Sequence, residues 1–301
     1  MDTINLLFSI DDGYVSQFMV TLYSIYQNSS NHNLAVYVLQ KQLLKKNDDI
    51  SEFCQKLGVR YTPVVVGEEA FEDAPTTDRY PETIYYRLLA HEYLPKELDK
   101  ILYVDADILC LNDVVPLYKL NLGDKLYAAA SHTSDGNISE LVNKLRLRNF
   151  EAEGYFNSGV LLMNLVAIRQ SVRRQDILDY IEQNNHLLLL PDQDILNALY
   201  GHQTLQIPDQ IYNYDARYNI LYYTRSSGKW NLNWVIEHTV FLHFCGRDKP
   251  WKKDYRGRYS ALYKHYQHCA LRLKNKKNHN KKYLDLRINK WRYFLLCMQL
   301  K

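Results

Sequence analysis

Short apolar runs alternate with amphipathic stretches along most of the chain. "INLLFSI" (4–10) is a continuous apolar run closed by Asp11-Asp12-Gly13, the pattern of a buried strand meeting a turn. Val15, Phe18, Met19, Leu22, Ile25 and Tyr26 then recur at helical spacing. "LAVYVLQ" (34–40) predicts a second strand, residues 42–57 a second helix, and "VRYTPVVV" (59–66) a third strand. Strands alternating with helices of this length require crossover connections, and so a mostly parallel sheet flanked by helices. Downstream, the pattern predicts a helix near 83–91 and strands at 100–104, near 126–131 and at 158–165. Helices over 167–184 and 192–201 and a late strand, "VFLHFCG" (240–246), complete the prediction.

In such sheets ligands bind at the carboxyl ends of the strands, near the point where strand order reverses. Two acidic pairs fall at strand ends: Asp11 and Asp12 after the first, Asp105 and Asp107 after the strand at 100–104. The second pair lies inside "ILYVDADILC", an apolar setting in which an unpaired carboxylate is costly. In extended backbone, residues two apart face one side, so these carboxylates would converge, with the small Ala106 turned away. Convergent carboxylates suit a hard divalent cation. An isolated Asp-x-Asp reads first as a strand ending in a turn, with one Asp as a cap.

Three further stretches carry candidate chemistry. In "HFCGRDKPW" (243–251), His243 can supply an imidazole ligand, Gly246 a close backbone approach and Lys249 a compact positive charge for phosphate. A core histidine, a turn and a surface lysine would give the same letters. With two carboxylates and an imidazole together, manganese fits the mixed donor set best. In "YFNSGVLLMNL" and "PDQDILNALYG", Asn157, Ser158, Asp192, Gln193 and Asp194 are either caps or partners for a polyhydroxylated ligand. Asp192 as an N-cap would explain itself. Arg87, in "TIYYRLLA", is a surface helix residue or a ligand-facing cation.

These blocks carry a resemblance. "LLFSIDDGYV", "YYRLLAHEYLPKELDKILYVDADILCLND", "YFNSGVLLMNL", "LPDQDILNALYG" and "HFCGRDKPW" stand in the order found in glycosyltransferase family 8, and especially in its bacterial lipopolysaccharide galactosyl- and glucosyltransferases. The resemblance covers residues 4 to about 266 and implies a Rossmann-like, GT-A type nucleotide-sugar transferase fold. It implies that Asp105, Asp107 and His243 hold Mn2+ against the diphosphate of a UDP-sugar, and that Asp11, Asp12 and Ala106 lie with the nucleotide. Gly246 and Lys249 would touch the diphosphate, and Arg87, Asn157, Asp192 and Gln193 the donor sugar. Asp192 or Gln193 would stabilise the cationic sugar in a transfer that retains configuration. Gly13 stands where some relatives carry Asn, so no side chain is available there. The donor would be UDP-glucose or UDP-galactose and the acceptor a saccharide or glycolipid of the cell envelope. A silent nucleotide-sugar or glycan binder is the competing reading. An aspartyl-nucleophile phosphatase is another, but Leu109 occupies the place where such enzymes usually carry Thr or Val.

Composition adds a boundary. The chain has 301 residues, and its net charge of +3 is unevenly spread. From Arg272 onward there are ten Lys or Arg against one acid, Asp285, whereas residues 1–271 hold 27 Lys or Arg against 33 acids. That divides the chain into a catalytic domain (1–270) and a basic tail (271–301). In the tail, Leu284, Ile288, Trp291, Leu295 and Met298 form an apolar stripe bordered by Arg287, Lys290 and Arg292. A basic amphipathic helix with Trp and Phe is expected to lie on an anionic membrane surface, although docking on the protein's own core would need the same pattern. No aromatic-basic platform for nucleic acid accompanies it, and none is expected as a partner. Five scattered cysteines, no leader-like N-terminus and no long apolar run lead to the expectation of a cytoplasmic protein, peripheral at the inner face of the plasma membrane.

Overall fold

The computed structural model describes residues 2–67, 71, 81–132, 146, 147, 149, 151, 154–184 and 187–275. The apolar stripe at 284–298 lies outside the described residues.

Seven strands form the main sheet: β1 (Ile4–Ser9), β2 (Leu34–Gln40), β3 (Arg60–Val65), β4 (Lys100–Val104), β6 (Tyr127–Ala130), β7 (Val160–Asn164) and β8 (Thr204–Ile207). Their spatial order is β3-β2-β1-β4-β7-β6-β8. Only β7 runs against its neighbours, pairing antiparallel with β4 and β6. The mostly parallel sheet expected from the sequence is therefore present, with the "SGVLLMNL" strand as its exception. A second sheet of three short strands, β5 (Ile108–Cys110), β10 (Phe241–His243) and β9 (Tyr214–Asp215), stands in the order β5-β10-β9. The late apolar run belongs here and stops at His243. Beyond it Gly246 takes a positive φ of 85°, a turn conformation suited to glycine.

Both faces of the sheet's central strands are covered, which is why β1, β4, β6 and β7 are apolar at nearly every position, whereas the edge strand β3 is largely exposed. Leu6, Phe8, Leu102 and Val104 pack on one side against helices α1 (Val15–Asn28), α2 (Asn47–Leu57) and α11 (Ser260–Lys274). Leu7, Ile101 and Tyr103 face the other side. There they meet residues of the 3-10 helix Glu82–Leu89 and helices α3 (Ala90–Tyr93), α5 (Leu165–Ser171), α6 (Arg174–Asn184) and α7 (Pro191–Tyr200). Short helices α4 (Val115–Tyr118), α8 (Asp209–Tyr212), α9 (Asn219–Arg225) and α10 (Leu232–His238) complete the shell.

Three predicted helices differ. Helix α2 begins at Asn47 rather than 42, because the Gln40 side chain accepts from Leu44 N at 2.9 Å and holds the preceding residues in a turn. The 83–91 segment is mainly 3-10: Tyr85 to Leu89 are buried consecutively, leaving no solvent-facing stripe for an amphipathic α-helix. The predicted 167–184 helix is broken at Val172, which is extended (φ −92°, ψ 121°) and buried in the core.

Candidate active site

Asp105 and Asp107 occupy a turn that carries the chain from β4 in the large sheet to β5 in the small one. The two carboxylates converge as expected, but through this turn and not through the pleat of an extended strand. Helix α1 holds it from below: the buried Thr21 hydroxyl lies 2.9 Å from the Ala106 carbonyl and 2.7 Å from that of Ile108. Asp105 N donates to the Gly159 carbonyl at 2.8 Å, prolonging the β4–β7 ladder into the turn.

His243, the last residue of β10, meets this pair. Its Nε2 lies 3.2 Å from Asp107 Oδ1 and 3.9 Å from Asp105 Oδ2, and the potential ligand atoms of all three residues lie within 4.8 Å of one another. The other ring nitrogen, Nδ1, lies 2.8 Å from Asn213 Oδ1. Asn213's amide nitrogen in turn donates to Asn157 Oδ1 at 2.8 Å, so its oxygen faces the ring. That oxygen only accepts, so Nδ1 carries a proton and Nε2 is the nitrogen that meets the carboxylates, as a donor to Asp107 in the imidazolium form and as a ligand where a cation takes the place of its proton. Gly159 is needed beside this group: a Cβ there would run into the His243 ring and stand 2.8 Å from Asp105 Oδ2. Two carboxylates, a tautomer-fixed imidazole and room kept clear by glycine fit a hard divalent cation.

The charges around the group are paired. Lys249 contacts Asp107 Oδ2 and donates to the Phe244 carbonyl at 2.8 Å. Burial pushes the Asp107 carboxyl up, but Lys249 and His243 outweigh it and hold it well below the usual carboxylate range. Burial disfavours the His243 imidazolium, while Cys245 and Asp107 raise its pKa well above the ordinary value. Arg87, buried on the 3-10 helix, lies 3.0 Å from Asp105 Oδ1 and 3.4 Å from Asp192 Oδ2, and its guanidinium stacks 4.3 Å above the Tyr103 ring. It is no surface residue. Tyr103 itself donates to Asp105 Oδ1 at 2.6 Å.

Asp192 and Gln193 sit in the first turn of α7, but the N-cap position is Leu190, so capping does not account for Asp192. Its carboxylate accepts from Ser158 Oγ at 2.8 Å, and burial raises its pKa despite Arg87. Gln193 Oε1 accepts from Asn157 Nδ2 at 3.0 Å. Asp194, by contrast, is wholly buried and taken up bidentately by Arg146, a structural tie. Asp11 and Asp12 lie at the carboxyl end of β1, next to β4 in the sheet. Asp11 Oδ1 accepts from Gly13 N at 2.8 Å and Tyr14 N at 3.2 Å, and Asp12 Oδ1 from Lys46 N at 3.3 Å. Gly246 leaves space that a Cβ would take from Arg217, whose Nη1 would be 3.0 Å away.

The structure thus gathers Arg87, Asp105, Asp107, Asn157, Asp192, Gln193, His243 and Lys249 through a chain of direct contacts. Ala106, Asp11, Asp12 and Gly246 flank it. Sequence reading missed Asn213, Thr21 and Tyr103 and quoted Gly159 without a task, and Asp194, expected as a cap or ligand partner, is instead held by Arg146, while Ser158 bonds Asp192. A neighbouring group, His132, Asp215 and Cys245, also has ligand atoms within 4.8 Å. There Arg217 already bonds both Asp215 oxygens, with Nη2 at 2.6 Å from Oδ2 and Nε at 3.0 Å from Oδ1.

Similarity to known proteins points the same way. The lipopolysaccharide 1,2-glucosyltransferase of Escherichia coli is 28% identical over 261 residues, covering 83% of this chain and 74% of that protein. General stress protein A of Bacillus subtilis is 25% identical over 269 residues, covering 85% and 90%. The crystal structure of the galactosyltransferase LgtC in complex with donor and acceptor sugar analogues shares the fold, with a TM-score of 0.74 at 23% identity over 88% of this chain and 96% of that one. The family model for glycosyl transferase family 8 matches residues 5–255, and this chain belongs to that family.

Proposed function

We propose that the protein transfers glucose or galactose from a UDP-sugar to a saccharide or glycolipid of the cell envelope, with retention of configuration and support from Mn2+. The observation that carries this reading is the meeting of Asp105, Asp107 and His243 Nε2 with Lys249 at the carboxyl ends of β1 and β4. It is the set of charges a sugar-nucleotide diphosphate requires. Asp105, Asp107 and His243 would hold the cation, which when bound supplies positive charge against the diphosphate.

The chain's own residues divide the remaining work. Lys249 sets a second positive charge beside the phosphates, where negative charge grows as the sugar–phosphate bond breaks. Asp192 and the Gln193 carbonyl oxygen present negative and dipolar faces to the sugar as it becomes cationic. Arg87 bridges Asp105 and Asp192, fixing the diphosphate end of the site relative to the sugar end. Asp11 and Asp12 stand with the nucleotide and Ala106 beside it. Asn157 and Gly246 complete the donor site, one by its side chain and the other by close backbone approach. In this reading residues 1–270 are the catalytic domain. The basic tail, 271–301, helps hold it as a peripheral protein at the cytoplasmic face of the plasma membrane.

A donor screen with Mn2+, using UDP-glucose and UDP-galactose and an envelope extract as acceptor, tests the proposal. It should give UDP release with a new α-linked product by NMR. A silent binder would release none, and a phosphatase would act without any sugar nucleotide.

A further inference from the structure

Helix α9 (Asn219–Arg225) turns one side chain inward. Tyr222 is buried, stacks on Tyr214 with ring centroids 4.2 Å apart and donates its hydroxyl to Asp209 at 2.7 Å. The apolar residues around it face out: Tyr218, Ile220, Leu221 and Tyr223 are 42%, 73%, 48% and 48% exposed. Among the described residues these are four of the ten exposed large apolar side chains, and they fall within six positions. Apolar residues exposed singly are ordinary, whereas a cluster marks a docking surface.

The rim of this ledge is basic. Arg225, Arg247, Lys252, Lys253, Arg256 and Arg258 are all exposed. Arg256 and Arg258 share with Arg217, Asn219, Cys245 and Lys249 a cavity of about 430 Å³ that opens beside the helix. Residues 216–229 and 247–258 together carry nine Lys or Arg against two acids, Asp248 and Asp254. The other residues up to 271 carry eighteen against thirty-one. Arg217 and Lys249 are taken up by Asp215 and Asp107, and of the other seven cations Lys252, Arg256 and Arg258 line the cavity that Asn219 of the apolar helix also borders.

We infer that this ledge docks on an anionic bilayer, with Tyr218, Ile220, Leu221 and Tyr223 entering the boundary between headgroups and acyl chains. The basic rim then meets lipid phosphates, each nearby cation strengthening the attraction. A self-complementary contact with a second copy would press like charges together. The apolar residues stand out on a short helix and form no groove, which suits insertion into a surface. The inference rests on the transferase reading for its purpose: the mouth of the cavity holding Lys249 and Cys245 would face the layer where a lipid-linked acceptor lies. It also gives the domain its own membrane contact, and stable anchoring takes two weak attachments.

The test is co-sedimentation of the full chain with vesicles of equal parts phosphatidylglycerol and phosphatidylcholine, or of phosphatidylcholine alone. Ile220→Glu with Leu221→Glu should lower partitioning to the anionic vesicles by about tenfold. Lys229→Glu with Lys253→Glu, at two exposed positions outside the cavity, should do the same, and wild type should bind phosphatidylcholine alone poorly. Both double variants should keep the wild-type unfolding midpoint and rate of UDP release. Wild-type partitioning by both overturns the inference. So does a wild-type dimer in light scattering that Ile220→Glu with Leu221→Glu turns into a monomer. Absence of UDP release from every protein would contradict the transferase reading alone and leave the vesicle result to stand by itself.

Discussion

Asn213 is a small residue with a large share of the site. Its side-chain oxygen meets His243 Nδ1, its amide donates to Asn157, and its carbonyl lies 2.6 Å from His132 Nε2. Removing the side chain frees the His243 ring to rotate or change tautomer without removing a ligand. Asn213→Ala should weaken manganese binding by about 10- to 100-fold, measured by electron paramagnetic resonance of the free ion. Unchanged affinity would mean that packing alone orients the ring. Asp215 gives a prediction in pH. Burial raises its carboxyl, but Arg217 and His132 outweigh that and hold it below the ordinary value. The unfolded chain then binds the proton first. The stabilisation is whole above the unfolded value, about 4, and is lost as pH falls through the folded one. Asp215→Asn should therefore show a flatter fall in unfolding free energy below about pH 4 than wild type, by urea titration. The letters of the sequence marked the acids, His243 and Lys249 because those side chains have few reasons to lie in apolar runs. Asn213, in "YNYD", carries no such contrast.

At the scale of elements, the decisive piece is the turn between two sheets. Sequence pattern located the strand before Asp105 and the periodic helix α1, yet it could not show that the next residues leave the sheet. Apolar runs on both sides of a turn look like one strand when each flank is buried, as β4 and β5 are. The loss of helical phase at Val172 was hidden for the same reason, since an apolar residue fits either a continuing helix or a break. Gly159 gives this scale its test. It begins the approach to β7 and passes against both His243 and Asp105, so Gly159→Ala should leave the far-ultraviolet circular dichroism unchanged while metal affinity falls at least about tenfold. Retained affinity would show that the His243 ring has room to give way.

At the scale of the whole molecule, the reversal of connection between β1 and β4 creates the crevice, and the small sheet closes it by bringing β10 to β5. That the fold was mostly parallel followed from the alternation of strands and helices. That β10 belonged to another sheet did not, because the pairing of a three-residue strand rests on contacts distant in sequence. The central claim is that Asp105 and Asp107 serve a cation which makes sugar transfer from UDP possible. Its most direct measurement is manganese-dependent UDP release from UDP-glucose and UDP-galactose, comparing wild type with Asp105→Ala and Asp107→Ala. The account predicts release by wild type with at least one donor, its loss on chelation, and a fall of at least about a hundredfold in either variant. Equal release by the variants in the presence of a chelator would contradict it.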